Sequence, residues 1–141
     1  IKMESIGTEI KTCIRLRPMN NREKANGPHS CVFADKEENT IYIDELLDNQ
    51  GNSLEKELKQ YTYDHIFDQY STNKEIYDTI VDPIIIDFLL GINGAIYTYG
   101  QVGTGKTLTM FGLDDSDEFT GMVKRSINKI FKEIYKLENV C

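Results

Sequence analysis

The sequence predicts an α/β fold. Strand-like and helix-like segments alternate along the second half of the chain, an order that forms sheets covered by helices. A glycine-rich loop at residues 100–107 follows a short apolar run and precedes a helical pattern. The length of 141 residues corresponds to one domain or part of one.

Composition and charge exclude several classes of protein. Hydrophobic residues make up 40% and charged residues 28%, as in ordinary soluble domains, and no run of about eighteen apolar residues predicts a membrane span. The net charge of −7 argues against a nucleic-acid binder, which normally carries a basic patch. The three cysteines are widely spaced; they fit neither a disulfide framework nor a zinc site and suggest a reducing compartment.

The first part of the chain predicts short strands. Alternation over residues 9–17 indicates a strand that ends at Pro18, because proline has no N–H for a ladder. The polar residues 19–30 predict a loop. Two strands at Cys31–Ala34 and Thr40–Asp44 are expected to form a hairpin through the polar turn between them.

A polar insertion and a further strand come next. Residues 45–60 are strongly polar and predict an exposed insertion with a short helix at Leu54–Leu58. Tyr61–Tyr63 then predicts a strand. The two histidines, His29 and His65, lie far apart with no cysteine or carboxylate pattern around them, so neither is expected to bind a metal.

A long helix is predicted over residues 73–90. Thr72 and Glu75 have the spacing of a capping box, and apolar residues then recur every four positions. Pro83 removes one backbone hydrogen bond and is expected to kink this helix. Gly91 is a natural stop signal.

The last third predicts a strand, a loop and a helix. The short apolar run Ala95–Tyr99 predicts a buried parallel strand. Residues 112–121 form an acidic loop, which we interpret as solvated rather than metal-binding. Apolar residues between Val123 and Leu137 have helical spacing, and the lysines and arginine among them favour a solvated helix face.

Residues 100–107 contain the motif that indicates a chemical function. They read Gly-Gln-Val-Gly-Thr-Gly-Lys-Thr and match the phosphate-binding pattern G-x-x-x-x-G-K-[ST]. The glycines let backbone N–H groups approach phosphate oxygens. Lys106 supplies a positive charge for the β- and γ-phosphates, and the hydroxyl of Thr107 is the expected magnesium ligand.

Segments on both sides of this loop resemble the kinesin motor domain. The loop and its continuation, Tyr99 to Gly112, are similar to the family's Tyr-Gly-Gln-Thr-Gly-Ser-Gly-Lys-Thr followed by Thr-Met and Gly. Arg15-Leu16-Arg17-Pro18-Met19-Asn20 resembles the Arg-x-Arg-Pro-Leu-Asn segment, and Tyr61 to Asp68 resembles the Phe-x-Phe-Asp-x-Val-Phe strand. Gly121 to Arg125 is similar to Gly-Ile-Ile-Pro-Arg. These segments follow family order from about residue 9 onward, so the resemblance implies a three-layer P-loop NTPase fold.

The resemblance also implies residue roles. In kinesins the Arg-x-Arg-Pro segment borders the adenine, which makes Arg15, Arg17 and Pro18 candidates for the base pocket. Leu108 stands where the family often has an aromatic residue, and Val102 replaces a threonine. The candidate cofactor-binding residues are Arg15, Arg17, Pro18, Gly100, Gln101, Val102, Gly103, Thr104, Gly105, Lys106, Thr107 and Leu108, with Thr107 also the magnesium ligand.

By resemblance the protein binds ATP or ADP with Mg²⁺ and is a cytoplasmic ATPase of the microtubule cytoskeleton. The switch motifs Asn-x-x-Ser-Ser-Arg-Ser-His and Asp-Leu-Ala-Gly-Ser-Glu, which kinesins need for hydrolysis, do not occur in these residues. We therefore expect residues 1–141 to be the N-terminal part of a motor domain, with no catalytic residue of its own and most of the microtubule contacts elsewhere. The isolated chain is expected to be inactive.

Two alternatives stay open from the sequence. The chain could be a non-catalytic kinesin-like interaction module that keeps a nucleotide site without turnover. It could also be another P-loop ATPase; the guanine signature Asn-Lys-x-Asp of GTPases is absent from these residues. Subfamily, direction of movement, cargo and oligomeric state are not indicated.

Overall fold

The strands lie in the first of two units and most of the helical residues lie in the second. In this computed structural model the units are Ile1–Tyr70 and Ser71–Cys141. The structure describes residues 10–26, 30–44, 58–113, 116 and 118–138. Within these residues no helix has the length and apolar character that a membrane crossing requires.

A parallel strand pair begins the first unit. Strand β1 (Cys13–Arg15) pairs with β5 (His65–Phe67). The carboxylate of Asp64 accepts hydrogen bonds from the backbone N–H and the hydroxyl of Thr12, at 2.6 and 2.9 Å, and so fixes the start of the pair. These bonds lower the pKa of Asp64. The predicted strand 9–17 is therefore confirmed over a shorter length, because β5 offers only three residues to pair with.

A three-stranded antiparallel sheet completes this unit. It consists of β2 (Val32–Asp35), β3 (Thr40–Ile43) and β4 (Lys59–Thr62), in that order. The predicted hairpin is confirmed, and the Asp35 carboxylate accepts hydrogen bonds from two backbone N–H groups of its turn. Ile41 is buried in the centre of the sheet at 4% exposure.

The polar segments contain more structure than their composition predicts. Residues 19–30 were predicted as a loop, but helix α1 (Asn21–Asn26) lies there. Residues 59–60 belong to β4 rather than to the predicted insertion. Residues 45–57, which include most of the short helix predicted at Leu54–Leu58, lie outside the described residues.

The second unit begins with the predicted long helix, in three parts. Helix α2 (Asn73–Ile76) leads into a π-helical turn, Tyr77–Val81, and then into α3 (Asp82–Leu89). The hydroxyl of Thr72 accepts the N–H of Glu75 at 3.1 Å, which confirms the predicted cap. The wider turn comes directly before Pro83, whose ring removes the N–H of a regular helical bond.

Gly91 ends the helix as predicted. Its φ is +90°, a conformation that side chains rarely adopt. The N–H of Gly91 donates to the carbonyl of Phe88 at 2.9 Å, and that of Ile92 donates to the carbonyl of Asp87 at 3.0 Å. Both bonds satisfy carbonyls that the end of the helix leaves open.

The predicted strand at Ala95–Tyr99 is not formed among the described residues. The segment has no ladder partner there, and Tyr97 and Tyr99 are 90% and 102% exposed. A parallel strand is stable only with hydrogen-bonded neighbours and covered faces. The prediction of a buried strand is therefore wrong for this structure.

Two helices follow the glycine-rich loop. Helix α4 (Lys106–Phe111) is short, and α5 (Met122–Glu138) is the predicted amphipathic helix. Helix α5 packs against α3, α4 and the π-helical turn. The apolar core of this unit contains Ile76, Tyr77, Val81, Ile85 and Met122.

Candidate functional site

The glycine-rich loop has the backbone conformation that its sequence requires. Gly103 and Gly105 have φ values of +85° and +97°, which only glycine adopts at little cost. A side chain on Gly100 would place its Cβ 2.7 Å from the hydroxyl of Thr104. That hydroxyl donates to the carbonyl of Gln101 at 2.8 Å and closes the loop on itself. Backbone turned in this way forms a concave surface suited to anions.

Lys106 lies at the end of the loop and folds back over it. Its ammonium group donates to the carbonyls of Gly100 and Gln101, at 2.8 and 2.7 Å. Each of these oxygens is a weak substitute for a phosphate oxygen, which carries a full charge. The ammonium group of Lys106 therefore lies against the loop, hydrogen-bonded to neutral backbone carbonyls.

Helix α4 carries the last residues of the motif. Thr107 is exposed in its first turn, with Lys106 before it and Leu108, half-buried, after it. The first N–H groups of any helix lack an intrahelical acceptor and are available to other acceptors. The hydroxyl of Thr107 is thus reachable from solvent beside the loop.

A buried asparagine holds the middle of α4. Asn73 is 1% exposed, and its amide donates to the carbonyls of Leu108 and Phe119, at 3.0 and 3.2 Å. Its backbone N–H donates to the carbonyl of Glu118 at 3.2 Å. One residue of α2 therefore holds both the helix that follows the glycine-rich loop and the end of the acidic loop.

The acidic loop closes tightly on itself. Gly112 and Thr120 form an antiparallel bridge, and the N–H of Leu113 donates to the carbonyl of Phe119 at 3.3 Å. Asp114, Asp115 and Asp117 lie outside the described residues. In the part of the chain that the structure describes, no group of three histidine, cysteine or acidic residues could hold a metal ion.

The three candidate base-pocket residues lie at the end of strand β1 and in the turn that follows it. Arg15 lies in the strand and is half-buried, and burial lowers the pKa of its guanidinium. Arg17 donates two hydrogen bonds to Glu23, at 2.7 and 2.5 Å, and one to the carbonyl of Pro18 at 3.0 Å. The bond to Glu23 raises the pKa of Arg17. Pro18 is exposed in the turn that follows.

The predicted site residues therefore form two groups. Gly100 to Leu108 are brought together by the loop and α4 in the second unit. Arg15, Arg17 and Pro18 lie at the end of β1 in the first unit.

Sequence reasoning missed two residues that hold these groups in place. Glu23 pairs with Arg17, and Asn73 fixes α4. The spacing Asn20-x-x-Glu23 was a usable signal for the first, because asparagine is a good N-cap and glutamate a good third residue. No local pattern pointed to the second, since its partners are 35 and 46 residues away.

Comparison with known proteins decides the family. The family model for the kinesin motor domain matches residues 15–140. The chain belongs to the kinesin family. This membership confirms the predicted P-loop NTPase fold, and it excludes an unrelated P-loop ATPase.

Individual kinesins match the chain over most of its length. Kinesin-like protein Klp68D of Drosophila melanogaster is 34% identical over 130 residues, covering 92% of this chain and 16% of the relative. Kinesin-like protein KIF11-B of Xenopus laevis is 34% identical over 143 residues, covering 94% and 13%. Human centromere-associated protein E is 35% identical over 127 residues, covering 90% and 4%. The chain thus spans a small part of the length of these kinesin relatives.

Proposed function

We propose that this chain is the ATP-binding part of a kinesin microtubule motor. The observation that carries the proposal is a closed glycine-rich loop, with Lys106 folded back over it, within a chain that the kinesin motor family matches. In the intact motor, ATP hydrolysis would be coupled to movement along microtubules. The protein would then be cytoplasmic and associated with the microtubule cytoskeleton.

The phosphate side of the site uses residues of the loop and α4. The ammonium group of Lys106 would exchange the carbonyls of Gly100 and Gln101 for oxygens of the β- and γ-phosphates, because a charged acceptor binds it more strongly. The backbone N–H groups of the loop from Gln101 to Gly105, which includes Val102 and Thr104, would surround the phosphates. Thr107 would be a magnesium ligand, and Mg²⁺ when bound neutralises charge on the β- and γ-phosphates.

The base side of the site uses the end of β1. Arg15, Arg17 and Pro18 would border the adenine, as the corresponding residues do in kinesins. Leu108 would contact the nucleotide from α4, and being aliphatic it offers apolar contact without aromatic stacking. ATP and ADP share the base and the β-phosphate, so both are expected ligands.

Hydrolysis and microtubule contact would depend on further sequence. Phosphoryl transfer requires a positioned water and groups that detect the γ-phosphate, and the kinesin switch motifs that supply them do not occur in residues 1–141. We therefore propose that these residues are the N-terminal part of a motor domain, and that alone they bind nucleotide without microtubule-stimulated turnover. The segment Ala95–Tyr99 supports this: its apolar composition is typical of a strand, and among the residues that the structure describes it has no ladder partner.

Replacing Lys106 tests the nucleotide site. Lys106→Ala should weaken binding of a fluorescent ATP analogue with Mg²⁺ by at least about tenfold, because the loss of one charge-assisted contact costs that much. Lys132→Ala is the matched control, since Lys132 is an exposed lysine on α5, and it should bind like the unaltered chain. Equal binding by both variants would contradict the role of Lys106.

A steady-state ATPase assay with microtubules tests the motor assignment. The intact protein should show stimulated hydrolysis, and the 141-residue chain should not. Nucleotide binding by the intact protein without stimulation would instead favour a non-catalytic kinesin-like module. Strong stimulation of the short chain would contradict the proposed division of the domain.

A further inference from the structure

Glu23 holds the turn that leaves strand β1. Its carboxylate accepts three hydrogen bonds: two from the guanidinium of Arg17, at 2.7 and 2.5 Å, and one from the backbone N–H of Asn20 at 2.8 Å. Both carboxylate oxygens are used, because the two N–H groups of the arginine point in parallel. Such a fork fixes orientation as well as distance.

The same turn is closed by two more contacts. The N–H of Glu23 donates to the side-chain oxygen of Asn20 at 2.9 Å, which completes a capping box at the start of α1. Arg17 also donates to the carbonyl of Pro18 at 3.0 Å. The residues between Arg17 and Asn20 are therefore tied at both ends to one glutamate side chain.

The exposure of the pair indicates a role in geometry rather than in stability. The side chains of Arg17 and Glu23 are 33% and 38% exposed. Ion pairs in such positions contribute little to the free energy of unfolding, because water screens them. What the fork does supply is one orientation for Arg17 and, through the adjoining carbonyl, one position for Pro18.

We propose that Glu23 is a positioning residue for the base of the bound nucleotide. The inference rests on the proposed function, in which Arg17 and Pro18 border the adenine. Glu23 does not touch the nucleotide in this proposal. It keeps the Arg17–Pro18 segment in one conformation before the base arrives, so that binding does not have to order it.

The protonation state of the pair suits this role. Hydrogen bonds from Arg17 and from the backbone of Asn20 lower the pKa of Glu23 to about 2. The carboxylate is thus ionised throughout the neutral range, as an acceptor of the two guanidinium hydrogen bonds requires.

The substitution Glu23→Gln removes the fork with Arg17 and keeps the cap of helix α1. Glu23→Gln keeps the length of the side chain and one oxygen, so it can still accept the N–H of Asn20. Its amide nitrogen cannot accept from Arg17, and the fork is lost. Glu133→Gln is the matched control, because Glu133 is also a partly exposed glutamate in a salt bridge, with Lys136 on α5 at 2.7 Å.

The test compares two ligands in the intact protein. Mg-ATP carries the base, whereas Mg-tripolyphosphate carries only the phosphates. Glu23→Gln should weaken Mg-ATP binding by about five- to tenfold, the effect of about one hydrogen bond, and change tripolyphosphate binding less than about twofold. Glu133→Gln should change neither. Calorimetry or competition against a fluorescent analogue gives both dissociation constants.

The pattern of affinity losses decides between the two readings of Glu23. Selective loss of Mg-ATP affinity supports the positioning role, whereas equal loss for both ligands, or no loss, overturns it. If Glu23→Gln does not fold by circular dichroism, Glu23→Asp takes its place, because it keeps the carboxylate but is one methylene too short to bond Arg17 and Asn20 together; it must show the same selective loss. Failure of the unaltered protein to bind Mg-ATP would instead refute the proposed function itself.

Discussion

At the scale of single residues, Asn73 makes a sharp prediction about stability. It is almost fully buried, and its amide donates to two carbonyls on separate segments. Asn73→Ala leaves both without this donor and should lower the free energy of unfolding by about 1–3 kcal/mol. Urea unfolding measures the change, and Asn128→Ala, on the exposed surface of α5, should stay within about 0.5 kcal/mol of the unaltered chain. Similar losses in the two variants would contradict this account.

The low pKa of Glu23 predicts how the stability of the chain changes in acid. Its pKa is about 2 in the folded chain against an ordinary value of 4.5. Because the folded value is the lower one, the ionised side chain stabilises the fold above about pH 4.5, by a small amount since water screens the pair, and this stabilisation is lost as the pH falls towards 2. The difference in urea midpoint between the unaltered chain and Glu23→Gln should therefore be smaller at pH 3 than at pH 7. A difference that does not change with pH would show that the charge of Glu23 does not matter.

The candidate site shows which residues a sequence can predict and which it cannot. The positions of Gly103, Gly105 and Lys106 follow from the motif, because a loop that binds phosphate needs those residue types at that spacing. Asn73 acts through partners that are distant in sequence, so its role can be recognised only from the folded structure. Glu23 lies between these cases, since its cap is local and its fork with Arg17 depends on where β1 ends.

At the scale of elements, the ends of the long helix were predictable from local signals, whereas the strand at Ala95–Tyr99 was not. Thr72 and Gly91 mark the two ends of the long helix, because caps and stops are made by neighbouring residues. The apolar run Ala95–Tyr99 has strand composition, yet a strand also needs a ladder partner, and composition does not supply one. Helix α1 was missed because the polar composition of residues 19–30 outweighed the cap at Asn20.

Two glycines with positive φ allow the cost of backbone strain to be separated from the cost of a steric clash. Gly112 has φ +83°, and a Cβ there would lie 2.2 Å from the carbonyl oxygen of Phe119. Gly91 has φ +90°, and a Cβ there would meet nothing within 4 Å. Gly91→Ala should cost about 1–2 kcal/mol from backbone strain alone. Gly112→Ala adds a clash with backbone and should cost about 3 kcal/mol or more, as measured by thermal or urea unfolding. Equal costs would show that the acidic loop relaxes freely.

At the scale of the whole molecule, the segment before the glycine-rich loop bears on the proposed motor domain. Tyr97 and Tyr99 are large side chains almost fully exposed to water, on a segment whose apolar composition predicted a strand that is not formed among the described residues. Monomeric proteins seldom expose extensive apolar surface without a partner for it. If residues 1–141 are part of a motor domain, further strands would pair with this segment and cover both tyrosines.

Tyrosine nitration tests that expectation directly. In the 141-residue chain, tetranitromethane should modify Tyr97 and Tyr99 as readily as Tyr70, which is 80% exposed, while Tyr77, at 6%, should stay protected. In a polypeptide that also contains the switch motifs, Tyr97 and Tyr99 should react several times more slowly, because paired strands and covering helices exclude the reagent. Peptide mass spectrometry follows each site, with Tyr70 and Tyr77 as internal references. Unchanged reactivity of Tyr97 and Tyr99 in the longer polypeptide would contradict the proposal that this segment becomes a central strand of the complete motor domain.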